Sequence, residues 1–108
     1  MKEAFLHFVW NTRSFDQTGI RTTDGKPVEI LNFGIANTQG GPDFKHAQVI
    51  LEGTRWAGSI EIHVLASEWD EHGHSADPNY ENVILHVVLE EDRPIYLQGR
   101  RLPCIELK

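Results

Sequence analysis

The sequence predicts an α+β domain, with a mostly antiparallel β-sheet, an N-terminal helix and one further short helix. Three observations predict it: helical spacing of apolar residues near the N-terminus, alternating segments bounded by turn residues in the middle, and a continuous apolar run over residues 83–89. Strand signals cover roughly half of the chain, against the usual range of about 20–25%. An all-β barrel or sandwich of hairpins is therefore the alternative.

Each element follows from a local pattern. Leu6, Val9 and Trp10 recur at helical spacing and predict a helix over residues 2–10. Asp24-Gly25 is a strong hairpin turn, and the apolar run 83–89 is typical of a central strand covered on both faces. The remaining elements are, in order, a hairpin of residues 20–23 and 27–31, a long loop over 32–42, strands over 44–52 and 56–65 joined at 53–55, a short helix and loop over 66–79, and outer strands over 95–97 and 102–107.

Length and charge narrow the function classes. The chain has 108 residues and a net charge of −6, from ten basic and sixteen acidic side chains, which predicts a single domain with no basic stripe for nucleic acid. It lacks an apolar run of the about 20 residues that cross a bilayer, and its N-terminus has no signal-peptide core. The expectation is a cytoplasmic protein without membrane contact.

One predicted strand presents a carboxylate beside an imidazole. Successive strand residues point to opposite faces, so Ile60, Ile62 and Val64 share one face while Glu61 and His63 share the other. A rigid strand carrying a carboxylate next to an imidazole suits metal binding or acid–base chemistry. The alternative interpretation is a solvated sheet face with an ordinary charge pair.

Asp43 begins the preceding predicted strand and is the third candidate. Counting outward from a turn centred on Thr54 places Asp43 opposite Leu65, which leaves it roughly 5–8 Å from His63 by cross-strand spacing. Two carboxylates and an imidazole would suit Mg, Mn or Zn. A simple turn residue after proline is the alternative for Asp43.

Three further histidines are candidate ligands. His72 and His74 form a His-x-His pair after the predicted short helix, a spacing common in metal sites that also arises by chance. His86 interrupts the apolar strand, so we expect it to be buried, facing the same cluster as His63, and either ligated or hydrogen-bonded. A core histidine bonded to a carbonyl or to Tyr80 is the alternative.

Two histidines and the cysteine have no distinctive neighbours in the sequence. His7 is predicted on the surface of the N-terminal helix, and His46 on the surface of a strand. The single cysteine, Cys104, cannot form an internal disulfide. It follows a proline in an outer strand and is predicted to be a small apolar side chain.

Three ordered motifs resemble an uncharacterised bacterial domain-of-unknown-function family. The resemblance covers essentially the whole chain, and the order and spacing of the motifs are specific. The resemblance implies that residues 1–108 are the N-terminal domain of a longer protein, and it brings no known activity. The motifs are Asn37-x-x-x-Gly41-Pro42-Asp43-Phe44-x-x-Ala47, Trp56-Ala57-Gly58-x-Ile60-Glu61-Ile62-His63, and Trp69-x-x-His72-x-His74-x-x-Asp77-x-x-Tyr80-x-Asn82-Val83-Ile84-Leu85-His86-Val87-Val88.

A looser resemblance concerns mechanism. Pro42-Asp43 at a strand start, followed by Glu61-x-His63 in the next strand, is similar to the PD-(D/E)XK nuclease core, in which two acidic residues bind a divalent metal. His63 stands where that core has a lysine, and Lys45 leaves the same strand face as Asp43. The resemblance implies a nuclease-like α+β fold with the order helix, three strands, helix, strand.

These observations predict a divalent-metal-dependent phosphodiesterase or nuclease-like domain. Asp43, Glu61 and His63 are the candidate catalytic residues, with His63 helping to activate a water. The acidic net charge argues against tight nucleic-acid binding by this domain alone. We expect any such contact to come from the C-terminal region of longer relatives. The candidate metal ligands are Asp43, Glu61, His63, His72, His74 and His86.

Two other function classes remain open. In a non-catalytic module, four histidines converge on zinc and stabilise a domain with few helices. In a plain interaction domain, the aromatic and histidine residues serve only the core.

Overall fold

The structure, a computed structural model, describes residues 3–107. It confirms the predicted α+β class, with an N-terminal helix, one further short helix and a mixed sheet in which antiparallel pairs predominate. The elements are helices α1 (Glu3–Thr12) and α2 (Glu68–Glu71), 3₁₀ turns at His74–Ala76 and Pro78–Tyr80, and strands β1 (Val28–Asn32), β2 (Ile35–Ala36), β3 (Phe44–Leu51), β4 (Thr54–Leu65), β5 (Val83–Glu90), β6 (Tyr96–Leu97), β7 (Arg100–Arg101) and β8 (Cys104–Glu106).

The main sheet changes from antiparallel to parallel at β4. Its strand order is β1-β3-β4-β5-β8, and β2 pairs with the start of β3. The pairs β1–β3, β2–β3 and β3–β4 are antiparallel, whereas β4–β5 and β5–β8 are parallel. The connection from β4 to β5 runs through α2 and both 3₁₀ turns, so this segment crosses one face of the sheet.

Each face of the sheet is covered by its own apolar cluster, as predicted for β5. On the first face, Leu6 and Trp10 of α1 pack with Ile60, Ile62 and Val87. The helix is fixed there in part by the Trp10 indole, whose Nε1 donates a 2.9 Å hydrogen bond to the Phe33 carbonyl. On the second face, the α2 segment and the β6–β7 hairpin supply the cluster that includes Trp69, Tyr80, Val83, Val88 and Ile95.

Two predicted segments differ from the structure. Residues 20–23 do not form a strand and pair with the arm leading into β1 through a single bridge between Arg21 and Pro27. The Thr23 amide donates instead to the Cys104 carbonyl at 2.8 Å, so this arm is anchored to the far edge of the sheet. The loop predicted over 32–42 contains strand β2, because Ile35 and its neighbour pair with the start of β3.

The β3–β4 register also corrects the predicted pairing. The hairpin turns at Glu52-Gly53, both with positive φ, as a two-residue turn requires. A bulge containing His46, with φ of 64°, then shifts the pairing by one residue. The prediction that Asp43 faces Leu65 was therefore wrong, because the shifted register places it beside Glu61.

Candidate metal centre

The second face of the sheet carries the polar side chains that the alternation of β4 predicted. Glu61 and His63 project there from β4, and His86 lies directly across from Glu61 on β5. All three are buried, with exposed fractions of 4%, 1% and 0%. The Nδ1 atom of His63 and the Nε2 atom of His86 share a 2.8 Å hydrogen bond, which confirms that His86 is buried and faces His63.

The α2 segment brings two more imidazoles over this face. His72 caps the C-terminus of α2, and Gly73 follows in the left-handed conformation with φ of 67°. That reversal turns the chain so that His74 points back toward β4 and is buried, whereas His72 stays exposed. One ring nitrogen from each of His63, His72 and His74 lies within 4.8 Å of the other two. We call these three residues the histidine cluster.

The Glu61 carboxylate contacts two members of the histidine cluster. Its Oε2 atom lies 2.9 Å from Nε2 of His74 and 3.4 Å from Nε2 of His63. Ligands bound tetrahedrally at zinc–nitrogen distances of about 2.0–2.1 Å are about 3.3 Å apart, which the His63 separation matches, whereas the His74 separation is that of a direct N···O contact. The His74 Nε2 atom is buried and has no hydrogen-bond partner of acceptable geometry among the described residues. The donor set therefore fits a metal ion.

Burial sets the charge of these groups. It is the largest cause that raises the pKa of Glu61 to about 9, followed by the neighbouring Asp43 carboxylate. Burial also lowers the pKa of His63 to about 3 and that of His86 to about 3, with the adjacent imidazoles contributing, and it lowers the pKa of His74. The imidazoles are thus neutral near pH 7, the form that binds metals.

Asp43 contacts Glu61 but belongs to a different group of side chains. Its amide donates to Glu61 Oε1 at 3.1 Å, and its Oδ2 accepts from the Ile62 amide at 2.8 Å, where β4 extends past the start of β3. Asp43 Oδ2 also lies 3.5 Å from Nε2 of His7, which is 3.4 Å from Oε2 of Glu3. Donor atoms of Glu3, His7 and Asp43 lie within 4.8 Å of one another.

The structure thus divides the six predicted metal ligands by position. His63, His72 and His74 converge with Glu61, His86 contacts the cluster through its bond to His63, and Asp43 lies on the other side of Glu61. The sequence interpretation missed Glu3 and His7. The available signal was their spacing of four residues, which puts them on one face of α1.

A cleft lies next to this centre. It has a volume of about 610 Å³ and is lined by polar side chains that include Lys45, His46, Ser59, Asn79 and Asn82. Ser59 precedes Glu61 by two residues on the same face of β4. The candidate ligands themselves do not line this cleft.

Comparisons with known proteins give a family and no activity. A family model described as a protein of unknown function, DUF2851, matches residues 3–108. Neither the curated proteins nor the solved structures contain a match to this chain. Among the described residues, none of the helices is long and apolar enough to cross a membrane.

Proposed function

The chain belongs to DUF2851, a family of proteins of unknown function, and we propose that its domain is a divalent-metal-dependent hydrolase of phosphodiesters. One observation carries the proposal: nitrogen atoms of three imidazoles lie within 4.8 Å of one another, with the Glu61 carboxylate against two of them, and the His74 Nε2 atom is buried without a hydrogen bond of acceptable geometry. A metal bound there would act as a Lewis acid and lower the pKa of a coordinated water.

The residues around the histidine cluster have distinct tasks. His86 holds the His63 ring by its Nδ1 atom, which leaves Nε2 of His63 directed at Glu61. Such an outer hydrogen bond fixes the tautomer and orientation of a ligating imidazole. Asp43 holds the Glu61 carboxylate through its amide. The exposed side chain of His72 marks the side from which solvent and substrate reach the centre.

The identity of the donors favours particular metals. Imidazole nitrogen suits zinc and other transition metals, whereas magnesium prefers oxygen ligands and keeps several waters. A centre with three imidazoles and one carboxylate is therefore expected to select Zn²⁺ or Mn²⁺ over Mg²⁺. This ranking narrows the choice of Mg, Mn or Zn that the sequence left open.

The arrangement of elements supports the phosphodiester as substrate. Helix α1, the antiparallel strands β1 to β4, the short helix α2 and the parallel strand β5 occur in this order. Asp43 immediately precedes β3, and Glu61 lies on β4. This is similar to the PD-(D/E)XK core, with His63 at the lysine position. Lys45 lines the adjacent cleft, where its positive charge would favour a phosphate group.

The proposal is tested by metal content and turnover together. The protein is stripped with chelator, reloaded with Zn²⁺ or Mn²⁺, assayed for bound metal by mass spectrometry, and incubated with bis(4-nitrophenyl) phosphate. We expect bound metal and hydrolysis in the wild type, and in Glu61→Gln the loss of hydrolysis and of the ion held by the histidine cluster. The matched control is Glu29→Gln, which removes an exposed carboxylate from β1. A wild-type protein that binds no metal, or one that binds it without hydrolysis, would contradict the proposed activity.

A structural metal site is the second candidate function. The same donors connect β4 to the α2 segment, so an ion held there would clip this segment to the sheet. A structural ion would raise the melting temperature as a catalytic ion does, so turnover distinguishes the two: the zinc-loaded protein should then show no hydrolysis. If the ion is absent altogether, the interaction-domain interpretation remains.

A further inference from the structure

A second group of ligand-type side chains lies beside the histidine cluster. Glu3 and His7 extend from one face of α1 toward Asp43, and one donor atom from each lies within 4.8 Å of the others. The His7 Nε2 atom is buried, and although carboxylate oxygens lie 3.4 and 3.5 Å away, it has no hydrogen bond of acceptable geometry among the described residues. We call Glu3, His7 and Asp43 the helix-side group.

The separations in this group are those of ligands around an ion rather than of hydrogen-bonded partners. Ligand atoms at about 2.1–2.2 Å from one cation, at right angles, are about 3.0 Å apart, and wider angles increase that separation. The two oxygen–nitrogen distances of 3.4 and 3.5 Å fall in the resulting range. Asp43 is also held in place, because its Oδ2 accepts the Ile62 amide hydrogen.

Glu61 lies between the helix-side group and the histidine cluster. Its Oε1 atom accepts the amide hydrogen of Asp43 at 3.1 Å, while its Oε2 atom is 2.9 Å from Nε2 of His74. One carboxylate thus turns one oxygen toward each group. In hydrolytic sites with two metal ions, the ions stabilise both the attacking and the leaving oxygen of a phosphodiester. A carboxylate between two groups of ligands suits such a site.

We propose that the helix-side group binds a second divalent cation, so that the domain holds two metal ions on either side of Glu61. This inference rests on the proposed function for the first ion only. Two carboxylates and one imidazole are harder donors than the histidine cluster, so the second site is expected to prefer Mn²⁺ or Mg²⁺ where the first prefers Zn²⁺. The two metal sites would therefore differ in the ion that each binds best.

Counting bound ions tests the second site without any assay of turnover. Chelator-treated protein is titrated with Mn²⁺ and followed by calorimetry and by electron paramagnetic resonance, in which two neighbouring Mn²⁺ ions broaden each other's spectrum. We expect two ions in the wild type. Glu3→Gln should retain one ion, bind the second at least tenfold more weakly and lose the broadening. His72→Asn should lose the other ion instead, and Glu29→Gln should behave as the wild type.

The outcomes separate this inference from the proposed function. One ion in the wild type that is lost in His72→Asn and unchanged in Glu3→Gln would overturn the second site and leave the first intact. One ion that is lost in Glu3→Gln alone would support the helix-side group and overturn the histidine cluster as a metal centre. A wild type without bound Mn²⁺ would overturn both.

Discussion

His72 is the position at which metal binding can be separated from folding. It is the exposed member of the histidine cluster, and its side chain makes no hydrogen bond within residues 3–107. Its φ of −90° and ψ of 0° suit asparagine as well as histidine. The change His72→Asn should therefore alter the stability of the metal-free protein by less than about 0.5 kcal/mol, the usual range for a surface residue.

The effect on the metal-bound protein should be much larger. An ion present at about 100 times its dissociation constant adds about 2.7 kcal/mol to the free energy of unfolding. For a domain of this size, each kcal/mol shifts the melting temperature by about 4–8 °C. The wild type should then melt roughly 10–20 °C higher with zinc than in chelator, and His72→Asn should lose most of that increase.

The assay is thermal unfolding followed by circular dichroism, in chelator and in a series of zinc concentrations. The control is His46→Asn, which removes an exposed histidine from the β3 bulge, where asparagine tolerates the positive φ of 64°. The control should keep the full increase in melting temperature. If the melting temperature of His72→Asn rises as much with zinc as that of the wild type does, the histidine cluster does not bind the ion.

Three further predictions concern the buried groups and the sheet. The pKa values of His63 and His86 are lowered to about 3 in the folded protein, so the unfolded chain takes up protons that the folded chain excludes. The metal-free protein should therefore lose stability as pH falls from about 6.5 toward 3. In urea unfolding, His86→Leu should lose less stability over this pH range than the wild type does. The pKa of Glu61 is raised to about 9, so the folded metal-free protein carries this side chain neutral, and its contribution to stability is lost as pH rises from about 4.5 to 9. Glu61→Gln should remove that alkaline loss and weaken zinc binding by the histidine cluster in calorimetry. A Cβ at Gly58 would lie 2.3 Å from the Asn82 carbonyl oxygen, so Gly58→Ala should force β4 and the start of β5 apart. The urea midpoint should fall by an amount equivalent to about 1–3 kcal/mol. An unchanged midpoint would show that the two strands can separate without cost.

The two faces of β4 could be predicted because side-chain alternation is a local property. Ile60 and Ile62 pack under α1 while Glu61 and His63 face the other way, as the period of two requires. The burial of His86 was predictable for the same reason, since an imidazole within an apolar strand that is covered on both faces has no route to solvent.

The register and the helix-side group could not be predicted locally. The bulge in β3 contains His46 with positive φ. A glycine at this position would have indicated such a conformation in the sequence, but a histidine does not. The hairpin turns at Glu52-Gly53 and not around Thr54, which moves the partner of Asp43 by three residues, and the bulged residue moves it by one more, to Glu61. His7 was predicted as a surface residue because its contact with Asp43 depends on how α1 packs at the strand end, which is a tertiary property.

The His63–His86 pair links the fold to the proposed chemistry through its shared proton. If His86 donates to His63, then Nε2 of His63 carries a hydrogen and cannot bind an ion. If His63 donates from Nδ1 instead, its Nε2 is a bare lone pair directed at Glu61 Oε2, 3.4 Å away, and the remaining hydrogen of His86 sits on Nδ1, which is buried without a partner. Either form leaves Nδ1 of His86 buried without a partner, but only the form with a hydrogen on Nε2 of His63 can donate to Glu61, so the form that binds metal is the less stable one in the metal-free protein. Metal affinity must offset that cost, and replacing His86 should therefore change the affinity of the histidine cluster even though His86 does not contact the ion.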